Sequence, residues 1–163
     1  MFNLFKKDLP TTENSYREIT KEDISNWNER VGNTFPEFKN GIQCFGFDWV
    51  GRAFAIDNRK NSESFSQVLL FDVASNEVLV IPVDKRDFHE KQLVDNSEAV
   101  LEISLYEKWL KKGGKRPEYN ECIGFKVPFF LGGKAELKNL EISDIDVYWE
   151  ITGQVIQQVF DKK

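Results

Sequence analysis

The sequence holds one histidine, one methionine, two cysteines and five prolines in 163 residues, and it has no excess of basic side chains. Each scarcity removes a class of chemistry. Nucleophilic and general-base catalysis usually needs a positioned base beside the nucleophile. The one histidine, His89, sits between acidic neighbours in Asp87-Phe-His-Glu and reads as a partly solvated surface residue. Cys44 and Cys122 lie far apart, with no C-x-x-C and no nearby His, so their spacing supports neither a zinc set nor a disulfide framework. They read as two buried thiols of a reducing cytosol. There is no G-x-S-x-G elbow and no D-x-D-x-D-G calcium loop. Leu131-Gly-Gly-Lys134 lacks the first spaced glycine and the hydroxyl that a P-loop requires. No stretch approaches the ~18 apolar residues of a membrane span. Lys6, Lys7 and Asp8 interrupt the start before a signal-peptide core is reached. With 22 Lys+Arg against 27 Asp+Glu, the formal charge of −5 opposes indiscriminate phosphate-backbone binding. The expectation is a cytoplasmic chain without catalytic, cofactor or metal residues, with neither nucleic acid nor membrane as partner.

What remains is a well-stocked core. The apolar share is 40% and 14 residues are Phe, too much hydrophobic payload for a disordered chain. At this length one domain is expected, residues 20–163, behind a polar lead-in at 1–19 that contains Pro10. Phe2, Leu4 and Phe5 are read as docking on that domain or fraying. Thr20 with Asp23 forms a capping-box variant, and Ile24, Trp27 and Val31 predict a helix over about 21–31, closed by Gly32. From Ile42 the pattern turns extended. Runs at 42–49 and 52–57, then Val68–Val73 and Val78–Val83, predict an antiparallel meander of about four strands, the last two covered on both faces and Pro82 ending the last. A short helix is expected over 84–93 and a longer one from Ser97 to the Gly113-Gly114 stop. A fifth strand begins at Cys122. Ser143 with Asp146 opens an amphipathic C-terminal helix whose inner face is Ile145, Tyr148, Trp149, Thr152, Val155, Ile156, Val159 and Phe160. The fold class is therefore α+β: an antiparallel sheet of about five or six strands against several helices, with that amphipathic helix at the end.

Charge is patterned without declaring a site. Glu136, Glu141, Asp144, Asp146 and Glu150 crowd the approach to the last helix. Acidic residues there complement the helix dipole and also provide an acidic surface for a partner. Lys111-Lys-Gly-Gly-Lys-Arg116 is the only basic concentration and reads as a solvated loop.

Two stretches carry a resemblance. Phe45-Gly-Phe-Asp-Trp-Val-Gly-Arg-Ala-Phe-Ala-Ile-Asp57, with the strands after it, resembles the middle of small bacterial type VI secretion immunity proteins. Cys122-Ile-Gly-Phe-Lys-Val-Pro-Phe-Phe-Leu-Gly-Gly-Lys134, Asn139-Leu-Glu-Ile-Ser-Asp144 and Val147-Tyr-Trp-Glu150 are similar to their carboxy-terminal signature. The resemblance spans residues 42–160 and extends to the SUKH superfamily of toxin-immunity proteins. It implies a non-enzymatic antitoxin that binds and neutralises a cognate secreted effector, and the charge of −5 then favours a basic effector such as a nuclease. It further places Asp48, Trp49 and Arg52 near a strand turn, and Asp146 and Glu150 on the tail helix, as toxin-binding candidates. The competing expectation is a non-catalytic scaffold or regulatory protein with a housekeeping partner.

Overall fold

Residues 14–160 are described by the computed structural model, and the readings of Phe2, Leu4 and Phe5 fall outside them. Five antiparallel strands form the main sheet in sequential order: β1 (Tyr16–Glu18), β2 (Ile42–Asp48), β3 (Ala53–Asp57), β4 (Val68–Asp72) and β5 (Glu77–Ile81). The expected four-strand meander is present. It gains β1 from the tail of the supposed lead-in, because Tyr16–Glu18 pairs with Gly46–Asp48. Tyr16 lays its ring over Gly46, where a Cβ would come within 2.2 Å of the Tyr16 hydroxyl. Only glycine admits that approach.

Period-2 alternation sends each strand's side chains to two cores. Phe47, Ala53, Ala55, Leu69 and Phe71 face α1 (Ile24–Thr34) and α5 (Ile145–Phe160), where Trp27, Val31, Trp149 and Ile156 meet them. Phe45, Phe54, Val68 and Leu70 face the other way, toward Phe88, Leu93, Val100 and Leu101. Both faces of β2, β3 and β4 are thus covered, as continuous apolar runs require. The edge strand β5 departs from that expectation: Leu79 is 49% and Val80 50% exposed, because the two cores reach this strand only at Val78 on one face and Ile81 on the other.

Helix boundaries moved for tertiary reasons. Lys21–Asp23 is a 3₁₀ turn and α1 continues through Gly32 to Thr34, stopping before Pro36, which disfavours helix in the residue ahead of it. Thr20 makes no side-chain cap. Its N–H donates to the Tyr119 hydroxyl (3.0 Å), and that hydroxyl donates to the Asp23 carboxylate (3.0 Å). Next comes α2, made of α-helical turns Lys85–Asp87 and Leu93–Asp95 joined by a π-helical turn, Phe88–Gln92. Asp84 caps it by accepting from the Asp87 N–H. The long helix expected from Ser97 is two, α3 (Ser97–Leu101) and α4 (Ile103–Lys111), separated by Glu102 in the left-handed region at φ 53°.

The fifth expected strand is β6 (Glu121–Phe125). It lies outside the main sheet and pairs with β7 (Leu140–Asp144) as a two-stranded ribbon. Trp49, Tyr106, Ile123, Phe125 and Leu140 form a third core beside it. At the start of α5 the cap is Asp144, which accepts from the Val147 N–H (3.1 Å), rather than Ser143. Along α5 the inner face is Ile145, Tyr148, Trp149, Thr152, Gly153 and Ile156, while Val159 and Phe160 are exposed beyond the end of the core.

Trp149 ties this arrangement together: it is buried against Trp27 and Phe35, and its indole N–H donates to the Gly51 carbonyl (2.7 Å). Trp149→Ala is expected to cost roughly 3–5 kcal/mol. Urea unfolding would read this as a lowered midpoint at an unchanged slope, and an unmoved midpoint would refute it.

Candidate functional site

The turn between β2 and β3 contains three of the five sequence candidates, and all three are inside the protein. Asp48 is fully buried, accepting from the Val50 N–H (3.1 Å), the Arg52 N–H (2.9 Å) and Arg52 Nε (2.7 Å). Gly51 closes this loop at φ 93°, a conformation that glycine adopts without strain. Arg52 extends from it to donate to the Val100 carbonyl (2.8 Å) and to pair with Glu102 (3.2 Å). Trp49 stacks on Tyr106 at 5.0 Å and donates to the Leu101 carbonyl (2.6 Å). Burial pushes the Asp48 carboxyl up from its ordinary value while the Arg52 guanidinium pulls it down. In this conformation Asp48, Trp49 and Arg52 offer a partner almost no surface.

The other two candidates, Asp146 and Glu150, line an open groove between α1 and α5 of about 1120 Å³. The two helices come together where Gly153 faces Thr34; a Cβ there would lie 3.1 Å from the Thr34 hydroxyl. Trp27, Trp149 and Ile145 contribute apolar lining. Among the described residues the groove carries Glu22, Asp23, Glu29, Asp146 and Glu150 against a single cation, Arg30. Arg30 is ion-paired with Asp146 and lies over the Trp27 ring at 4.3 Å, with only 13% of its side chain exposed. Burial lowers its pKa, and its Nη1 has no hydrogen-bond partner among the described residues.

Beyond Glu150 the surface of α5 turns apolar. Val147 is 49% and Ile151 56% exposed, one helical turn apart and outside the core. One helix therefore shows three characters: a buried face, an acidic flank and an aliphatic flank. Sequence reasoning found Asp146 and Glu150 but missed Arg30, Trp27 and Tyr119. Arg30 and Asp146 are 116 positions apart, and no local pattern announces their pairing.

The remaining reactive groups are engaged structurally. His89 Nδ1–H donates to the Lys85 carbonyl (3.0 Å), and Nε2 is hydrogen-bonded to the Tyr16 hydroxyl at 2.7 Å. Burial pushes the Cys44 thiol up to about 12 and the Cys122 thiol higher still, so neither is a thiolate near neutral pH. Among the described residues no group of three or more His, Cys, Asp or Glu could hold a metal ion, and no helix is long and apolar enough to cross a membrane.

Residues 85–156 match the family model described as the C-terminal part of the T6SS immunity protein Tdi1. This region is similar to a type VI secretion immunity family. The matched region runs from α2 through most of α5 and so supplies one wall of the groove together with the aliphatic flank. The SUKH relationship stays an expectation of the sequence. The fold is also similar to that in the crystal structure of Atu4351 from Agrobacterium tumefaciens, with a TM-score of 0.61 at 13% identity. That similarity covers 88% of this chain and 68% of the other, and at such identity it speaks for the fold alone. The comparison with curated proteins gives no match.

Arg52→Ala would leave the Asp48 carboxylate buried without its counter-charge and is expected to destabilise by about 3–5 kcal/mol. The lone carboxyl would then hold its proton to higher pH than in the unfolded chain. The deficit relative to wild type should accordingly shrink as pH falls. Parallel urea titrations across the acid range test the sign, and a deficit that grows on acidification contradicts it.

Proposed function

We propose that the chain is a non-enzymatic immunity protein that neutralises a cognate type VI effector in the cytoplasm by covering it with the α1–α5 surface. One observation carries this reading: α5, largely within the region that matches the immunity-family model, presents an acidic flank and an aliphatic flank side by side, with Val147, Glu150 and Ile151 outside the core. Protein interfaces combine a desolvated apolar centre with a polar rim, and stable ones bury about 1,200–2,000 Å² in total. Val147 and Ile151 supply the centre, while Glu29, Asp146 and Glu150 supply the rim. A partner with a basic face, as a nuclease has, would be steered to it by opposite charge. Asp48, Trp49 and Arg52 serve this surface from behind, by holding the scaffold on which α5 lies.

Two variants separate the terms. Ile151→Lys places a charge at the apolar centre and is expected to weaken the complex about 30-fold, chiefly through faster dissociation. Glu29→Lys combined with Glu150→Lys leaves the Arg30–Asp146 pair intact and is expected to slow association roughly tenfold at low salt, with the difference fading as salt rises. Surface plasmon resonance against the product of the adjacent toxin gene measures both. Co-expression with that gene is the decisive arm. Survival that requires this chain supports the reading, and a harmless neighbour with no complex on sizing columns removes it.

A further inference from the structure

The main sheet is finished on one side and unfinished on the other. At the finished edge, β1 is three residues long, and Arg17 ties it to the carbonyls of Glu118 and Glu121. At the other edge, β5 pairs with β4 through Val68↔Ile81, Leu69↔Val80, Leu70↔Leu79, Phe71↔Val78 and Asp72↔Glu77, and no further strand pairs with it among the described residues. Natural edge strands are usually blunted by lysine, proline, a bulge or shortness. The five residues Glu-Val-Leu-Val-Ile contain no lysine or proline, and their register with β4 has no shift. Alternation places Val78 and Val80 on the α1–α5 face and Leu79 and Ile81 on the opposite one. Both faces of this strand are only partly covered, with Leu79 and Val80 about half exposed. The strand is apolar on two sides and open along its third.

We propose that β5 is a dimerisation edge, at which a second copy of this chain pairs antiparallel about a two-fold axis through Leu79 and joins two five-stranded sheets into one of ten. The strand is self-complementary in that register. Leu79 meets its own counterpart, Val78 meets Val80, and Glu77 meets Ile81, so the two Glu77 carboxylates lie at opposite ends. A parallel, in-register arrangement would set them side by side, at a cost. The axis runs perpendicular to the sheet and keeps each face on its own side. Four valines therefore cluster on one face, and two leucines with two isoleucines on the other. Such an isologous contact closes on itself and stops at the dimer. A five-residue strand pair buries less than the ~1,200 Å² of standard complexes, so the association is weak and concentration-dependent. Each copy carries −5, so added salt strengthens it by screening repulsion. This inference stands apart from the immunity reading, since it concerns the edge opposite β1 and not the groove.

Sedimentation velocity of the full chain between about 10 µM and about 500 µM is expected to move the mass from 19.0 kDa toward twice that value, with more dimer at higher salt. Leu79→Lys combined with Val80→Lys should abolish the shift. Both positions are half exposed, so circular dichroism and the urea midpoint should stay near wild type. Leu79→Cys should form a disulfide-linked dimer under mild oxidation, because paired antiparallel residues lie about 4.5–5.5 Å apart at Cα, inside the disulfide range. The native thiols are buried and do not compete. Ile151→Cys is the exposed control. A wild-type chain that stays monomeric throughout, a dimer that survives the double lysine variant, or Leu79→Cys cross-linking no faster than Ile151→Cys each overturns the proposal. A monomeric wild type whose double lysine variant loses toxin binding would instead assign the edge to a strand of the toxin.

Discussion

The buried ion pair between Asp48 and Arg52 fixes most of what surrounds it. Desolvating two charges is expensive and is tolerated only when geometry and additional hydrogen bonds compensate. Here the carboxylate accepts three N–H bonds, and the guanidinium reaches on to the Val100 carbonyl and Glu102. The consequence is a rigid five-residue turn with connections in every direction. Trp49 donates its backbone N–H to Ser15 and its indole N–H to Leu101, and its carbonyl accepts from Ile123. The Gly51 carbonyl accepts from Trp149. One turn thereby anchors β1, the α3–α4 break, β6 and α5. Removing either charge would disturb all of them, which is why a turn rich in polar and aromatic residues is scaffold here rather than contact surface.

That turn also marks where sequence reasoning works and where it stops. The meander and the C-terminal helix were legible because they rest on local pattern: short apolar runs separated by polar links in the strands, and three- and four-residue steps from Ile145 to Ile156. The α3–α4 break was not. The apolar stripe runs through Glu102 without interruption, and the chain turns there because the Val100 and Leu101 carbonyls are drawn out to Arg52 and Trp49, some fifty residues earlier. The start of α1 is illegible for the same reason, since the Thr20 N–H and the Asp23 carboxylate, the two groups a capping box would use, are both engaged by the Tyr119 hydroxyl, some hundred residues later. β7 was missed because a five-residue segment after a 3₁₀ turn becomes a strand only when β6 lies beside it.

Exposure was the other illegible quantity. Val78-Leu-Val-Ile reads like Val68-Leu-Leu-Phe, yet one is an edge and the other an interior strand. Composition records that a run is apolar but not whether a layer extends over it. The same holds for the candidate site. Asp48 and Asp146 are both aspartates near the end of a strand or the start of a helix, but one is fully buried against Arg52 and the other stands at the rim of a groove.

The arrangement of α5 bears on how such a surface can change without loss of the fold. Trp149 and Ile151 are two residues apart, which on a helix of 3.6 residues per turn is a rotation of about 200°. That rotation takes the chain from the centre of the core to the most exposed large apolar side chain on the helix. Substitution at Trp149 acts on stability, through packing and the bond to Gly51. Substitution at Val147, Glu150 or Ile151 acts on the outward flank with little cost inside, because surface changes away from caps and buried networks are usually within about 0.5 kcal/mol. Asp146 is the intermediate case, since it holds Arg30 in place while facing solvent. A rigid inner face therefore presents an outer face free to vary, the separation an inhibitor needs if its specificity is to follow that of its target.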